Sequence, residues 1–300
     1  MTHPRALSGA AFATLLLIAL MMGANHVAAR LAFNHGTDVA TAVVFRSGVT
    51  ALVLAVIILV QRVPLRFTQR HKRMLPVIGL LVGVQSLCIY SSVARLPVAL
   101  ALLAFNTYPI WTALWALVIY RQQPERSLLL AMPVILFGLA LALDVLGAAS
   151  GLGASGQWAR IGAGVAFAIA AAATFGLALV VTQHEAADVD GRVRTATTLS
   201  LAGLMALAMV GAQGGFHFPQ AAMGWWGLAA LSLLYGTAFT IMFTLLPKLG
   251  VVGNSAIMNV EPVFALALAW LLLGQTIAPV QVAGALLVVG AVLALGLRKR

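Results

Sequence analysis

Apolar runs of about twenty residues, separated by short polar breaks, fill the chain from residue 8 to residue 297. At 1.5 Å per residue, a helix of that length crosses a hydrocarbon core ~30 Å thick. Ten such segments are expected, at 8–31, 39–61, 74–94, 97–120, 127–147, 160–183, 194–213, 224–247, 251–274 and 278–297. Strands of a membrane barrel would run only about 9–11 residues and alternate strictly; the sequence carries no such alternation. No break between the runs has the length of a soluble domain. The pattern predicts an all-α integral membrane protein with ten transmembrane helices.

The pattern also occurs twice. Under a shift of 153 residues, Gly9 meets Gly162, Gly23 meets Gly176 and Gly83 meets Gly236. Leu96 then meets Leu249, Asn106 meets Asn259 and Pro109 meets Pro262. The chain divides into repeats at 1–150 and 151–300, with five spans each. Five is odd, so the second copy enters the membrane from the opposite side. Inverted repeats of this kind characterise secondary transporters, whose substrate site lies near the midplane between the copies. The first run, preceded by Arg5, has the outline of a signal peptide. Its correspondence with the sixth run makes it a retained helix.

Composition sharpens this picture. Hydrophobic residues make up 62% of the chain, charged residues 8%, and the mean hydropathy is +1.03. A soluble domain carries roughly 25% charged residues. The net charge of +11 is set by topology and does not mark a nucleic-acid partner. With the N-terminus inside, 14 of the 18 Lys and Arg face the cytoplasm: Arg5, Arg62, Arg66, Arg70, Lys72, Arg73, Arg121, Arg126, Arg192, Arg194, Lys248, Arg298, Lys299 and Arg300. Arg30, Arg95 and Arg160 fall outside, and Arg46 lies within a span. This positive-inside bias puts both termini in the cytoplasm, in a bacterial-type inner membrane. Trp158, Trp225 and Trp226 then sit at the outer interface, where indole rings are favoured. The run 147–156, rich in Gly, Ala and Ser, reads as a flexible outer linker between the halves.

Polar residues inside spans are functional candidates because they are costly there. Glu261 stands near the midplane of the ninth span, within Asn259-Val260-Glu261-Pro262; the first half has Asn106-Thr107-Tyr108-Pro109 in the same register. Each proline removes a backbone hydrogen bond and loosens the preceding turn. Breaks at corresponding positions in both halves point to a binding site, with Pro109 and Pro262 as hinge or gating positions. Asn106 and Asn259 either contact substrate or only shape the helix. Glu261 and Asn259 are about 200° apart on a helix, so Glu261 is expected to face a polar cavity and Asn259 an interhelical seam. Arg46 is expected within ~4 Å of Glu261 in depth, which permits an ion pair; outward snorkelling is the alternative. Asn25 and His26 lie at a similar depth, and His26 is either a ligand or a buried hydrogen-bonded histidine. Gln85, Tyr90, Tyr108, Trp111 and Tyr235 complete the candidates, with plain packing equally open for Trp111.

No catalytic constellation is legible. The six His are scattered, the single Cys88 excludes an internal disulfide, and Asp144 is the only other candidate intramembrane carboxylate. Neither a metal site, nor a cofactor, nor a phosphate-binding Gly-Lys-Thr/Ser motif is expected.

Two stretches, 106–119 (NTYPIWTALWALVI) and 259–274 (NVEPVFALALAWLLLG), resemble the signature of the EamA family of the drug/metabolite transporter superfamily. The run Gly23-Ala24-Asn25-His26-Val27-Ala28 and the intramembrane Arg46 are similar to that family's first two helices. The resemblance spans nearly the whole chain. It implies a ten-helix inverted-repeat carrier of small solutes, most similar to bacterial exporters of amino acids, including aromatic ones. Where the family often carries Glu after the fourth span, this chain has Gln122 and Gln123, and Gln275 in the second half.

The expected function is export of small metabolites, foremost amino acids, by alternating access, with the substrate and the lipid bilayer as partners. Proton coupling through Glu261 and uncoupled flux both fit. Drug efflux, nucleoside or sugar-conjugate transport, and a non-transporting structural role remain alternatives. Oligomeric state is open, and a monomer is compatible with one pathway per chain.

Overall fold

The computed structural model describes residues 9–124, 126–245 and 260–298. These form eleven helices: α1 (Gly9–Asn34), α2 (Val39–Val60), α3 (Gln69–Val93), α4 (Val98–Phe105), α5 (Tyr108–Tyr120), α6 (Arg126–Ala142), α7 (Gly153–Glu185), α8 (Gly191–Ala212), α9 (Ala222–Thr244), α10 (Glu261–Leu273) and α11 (Pro279–Arg298). Taking α4 and α5 as one, seven segments among the described residues are long and apolar enough to cross a membrane; α6, α10 and α11 hold shorter apolar stretches.

Short polar residues start several of these helices. Asp38 accepts from the Thr41 N–H at 2.7 Å, Thr68 and His71 form a capping box, and Asp190 accepts from the Arg192 N–H at 2.9 Å. Each cap satisfies donors that the first turn leaves free and contributes about 1 kcal/mol. The Arg192 guanidinium, followed by its backbone N–H, also holds the Asp190 carboxyl below the usual carboxylate range.

The fourth run is broken where the proline chemistry predicts. α4 ends at Phe105, Asn106 and Thr107 form a turn, and Pro109 sits in the first turn of α5. Pro109 has no N–H to give the Phe105 carbonyl; the Ile110 N–H restarts the ladder on Thr107 at 2.9 Å. Pro262 occupies the same position in α10.

The two halves interleave. α1 packs on α9, α3 on α7, α2 on α8 and α6 on α11, with α3·α8, α2·α9, α5·α7 and α1·α10 completing the main interfaces. Under the 153-residue shift each interface maps onto itself or onto another member of the set. Close approaches obey the same symmetry. A Cβ on Gly23 would lie 3.0 Å from the Glu261 carbonyl oxygen and 3.1 Å from the Ala265 nitrogen. On Gly176 it would lie 2.7 Å from the Thr112 nitrogen, the residue in register with Ala265. Small residues let membrane helices touch backbone to backbone.

The tightest crossing joins α6 and α11. A Cβ on Gly284 would stand 2.5 Å from both the Gly138 carbonyl oxygen and the Ala142 nitrogen. Backbone cannot swing aside as a side chain can. Gly284→Val is therefore expected to destabilise the fold by ~1–3 kcal/mol, seen as a lower thermal unfolding midpoint in detergent. An unchanged midpoint would contradict this crossing.

Large apolar side chains cover the outside. Leu52, Leu59 and Val60 on α2, Leu130 and Phe137 on α6, and Trp270, Leu271 and Leu272 on α10 are all exposed. So much outward apolar surface is built for acyl chains rather than water.

One expectation is overturned. The run 147–156, expected as a flexible linker, is an organised turn through residue 152 and then the first residues of α7. The Asp144 carboxylate accepts N–H bonds from Ala149 at 3.0 Å and Ser150 at 2.8 Å, which hold its carboxyl below the usual range. The Gln157 side chain donates to the Leu143 carbonyl at 2.8 Å. α6 consequently stops at Ala142, and α7 begins at Gly153, earlier than the apolar run suggested.

Candidate functional site

Five helices bring polar side chains to one place inside the bundle. α1 supplies Asn25 and His26, α2 supplies Arg46, α3 supplies Ser86 and Tyr90, α9 supplies Tyr235 and α10 supplies Glu261. All lie on the faces that meet other helices, because nowhere else within an apolar bundle can a polar group find a partner.

Arg46 is the centre of this cluster and is buried. Its Nη2 donates to the Ser86 hydroxyl at 2.7 Å. Its guanidinium carbon lies 4.9 Å from the Tyr90 ring centre and 4.2 Å from that of Tyr235. Two aromatic faces stabilise a desolvated cation by roughly 2 kcal/mol or more each. The Tyr90 hydroxyl donates to Asn25 Oδ1 at 2.9 Å, which fixes the ring against the guanidinium. Arg46 Nε and Asn25 Nδ2 are buried without a hydrogen-bond partner.

Glu261 opens α10 and meets α1. Its carboxylate lies 3.3 Å from His26 Nε2. Gly23, one turn before His26, admits the α10 backbone to this distance. The helix N-terminus adds partial positive charge beside the carboxylate. Glu261 keeps 26% of its side chain exposed, whereas His26 keeps 11%. The His26 ring packs 5.4 Å from Tyr90, and its Nδ1 is buried without a partner.

The ion pair that depth permits between Arg46 and Glu261 is not formed among the described residues. Glu261 pairs with His26, and no carboxylate among the described residues lies within 4.0 Å of Arg46. Equal depth did not fix the angle around each helix, and His26 and Tyr90 occupy the space between.

The other candidates divide. Gln85 is half-buried and only touches Ser86, at 3.4 Å. Asn106 is buried at the end of α4, and its amide nitrogen has no partner. Tyr108, in register with Glu261, lies in an aromatic group with Phe105 at 5.7 Å and Phe175 at 5.3 Å. Trp111 packs along Gly176 of α7, the packing alternative. Asn259 lies outside the described residues.

Ser86 was missed as a site residue, since a membrane serine by default bonds its own backbone. Three glutamines were also missed. Gln157 donates to Leu143, Gln281 donates to the Ala142 carbonyl at 2.8 Å, and the Val98 N–H donates to Gln275 Oε1 at 3.0 Å. These amides tie the two halves together at one end. At the opposite end, Arg70 and His71 meet Asp188 at 3.5 and 3.0 Å, and Tyr120 donates to Glu185 at 3.0 Å. No three His, Cys, Asp or Glu among the described residues gather as a metal site.

A duplicated bundle with a lipid-facing exterior, a proline in the first turn of both α5 and α10 and a buried ionisable cluster has the architecture of a multi-pass membrane protein. The EamA-like transporter family model matches residues 8–143 and again 162–297, and the chain belongs to that family. It is thus a membrane transporter of small molecules. A solved structure, reported simply as a crystal structure of a protein, aligns with 96% of this chain and 99% of its own at 17% identity, with a TM-score of 0.62. That likeness concerns the fold. No curated protein matched the sequence.

Proposed function

We propose that the protein is a secondary transporter that exports amino acids, with Arg46 and Glu261 reading the two charges of a zwitterion. The observation that carries this is a buried guanidinium with no carboxylate within 4.0 Å among the described residues, separated by the Tyr90 and His26 side chains from a carboxylate that contacts His26. An uncompensated buried cation is costly. An incoming α-carboxylate would compensate it, using the spare donors of Arg46 and Asn25. The α-ammonium would meet Glu261, whose exposed oxygen is the most accessible charge of the cluster. Alternating access would open the packed cluster to one side at a time, with the breaks at Pro109 and Pro262 as hinges.

The topology proposed with this function is ten spans in two inverted halves, 1–150 and 151–300, with both termini in the cytoplasm of a bacterial-type inner membrane. The mirrored helix contacts support the two-fold relation. The charge bias supports the orientation.

Efflux of lipophilic cations is the second reading, favoured by the aromatic group Phe105, Tyr108 and Phe175. It needs Glu261 but not Arg46. Counterflow in liposomes separates the two. Amino-acid export predicts saturable exchange of at least one labelled neutral amino acid. Exchange of cationic drugs alone would overturn it.

A further inference from the structure

We propose that the end of the bundle tied by the glutamines holds an oxyanion site, formed by Arg95 and Arg160 and separate from the central cluster. A cavity of about 310 Å³ lies there, lined by the α3–α4 connection, the start of α4, the first turns of α7, the α10–α11 connection and the start of α11. Arg95, Arg160, Gln157, Gln281 and Thr276 are its polar walls.

The two guanidiniums are held but not neutralised. Arg95 donates to the Ser91 carbonyl at 2.8 Å, and its guanidinium carbon lies 4.8 Å from the Phe167 ring centre. Arg160 donates to Gln157 Oε1 at 2.9 Å. Among the described residues no carboxylate lies within 4.0 Å of either. Asp144, at the same end, is engaged by backbone N–H groups. The walls add no negative charge: Gln157 gives its oxygen to Arg160 and its amide N–H to the Leu143 carbonyl, and Gln281 accepts from the Ala278 N–H and donates to the Ala142 carbonyl.

Each guanidinium carries five N–H donors in a planar fork that matches carboxylate and phosphate oxygens. Two like charges on one cavity repel until an anion bridges them. The volume suits an oxyanion with several waters, each of which occupies about 30 Å³ in the liquid. The chemistry is shared by two sources: the phosphate of an anionic phospholipid headgroup, which basic pockets between membrane helices bind, and a free oxyanion.

Native mass spectrometry of the full chain from neutral detergent tests the site, with phosphatidylglycerol, phosphatidylcholine and inorganic phosphate as probes. Wild type is expected to retain one oxyanion, at least about tenfold more tightly than the Arg95→Gln/Arg160→Gln variant, or ~1.4 kcal/mol. Arg66→Gln, at the other end, should bind as wild type does. Preference for phosphatidylglycerol over phosphatidylcholine, undisturbed by phosphate, assigns the lipid source. Retention of phosphate that displaces phosphatidylglycerol assigns the free anion. If the double variant loses the native thermal midpoint, Arg160→Gln alone decides, since Arg160 is exposed and bonded only to Gln157. Probe binding equal in wild type and variant, or absent from wild type, would overturn the site.

Discussion

Under the proposed function, Glu261→Gln is expected to lower amino-acid flux by about tenfold to a hundredfold, chiefly as a rise in KM. The substitution keeps size and shape but removes the charge that would meet the substrate ammonium. A hydrogen bond to a charged group contributes about 1.5–3 kcal/mol, which is that range of affinity. The amide can still reach His26 Nε2, so the α1–α10 contact near Gly23 survives and the thermal midpoint stays near wild type. Initial rates of counterflow across a substrate series separate KM from maximal rate. Wild-type kinetics would remove the charged role of Glu261. A low flux caused by a collapsed midpoint would return the residue to a structural one.

Arg46→Met separates function from stability more sharply. Replacing a buried ion pair by apolar side chains of similar volume is often neutral or stabilising by about 1–4 kcal/mol; for Arg46 the desolvation relieved offsets the two aromatic-face contacts given up. Here the cation faces two tyrosine rings and Ser86 but no carboxylate. The variant should unfold at the wild-type temperature or above while amino-acid flux falls by about tenfold or more, the loss of one charge-assisted contact. Arg46→Lys should rescue poorly, because an ammonium cannot lie flat between two rings and donate to a serine at once. Retained flux in Arg46→Met would favour cation efflux. A large loss of stability would make Arg46 a packing element.

The sequence made the local chemistry legible and left the angular relations hidden. Proline breaks depend on neighbours within a few residues, so the junction of α4 and α5 falls where the pattern put it. Asn25, His26, Arg46, Tyr90, Tyr235 and Glu261 all join one cluster, because each was costly enough in lipid to need company. Which residue meets which depends on rotation about each helix. Depth alone paired Arg46 with Glu261, while the fold pairs Glu261 with His26. Ser86 was invisible because its partner comes from another helix. The organised turn at 143–152 was invisible because small residues look flexible until Asp144 and Gln157 bind them.

In the proposed mechanism one site reads both charges of a zwitterion. Counterflow into liposomes, with one neutral amino acid as the labelled species, tests this through competition by charge-truncated analogues. The intact amino acid is expected to compete at least about tenfold better than either its decarboxylated amine or its deaminated acid, ~1.4 kcal/mol for each lost charge. Equal competition by the amine would contradict it, because Glu261 would then suffice and the buried Arg46 would have no substrate to read.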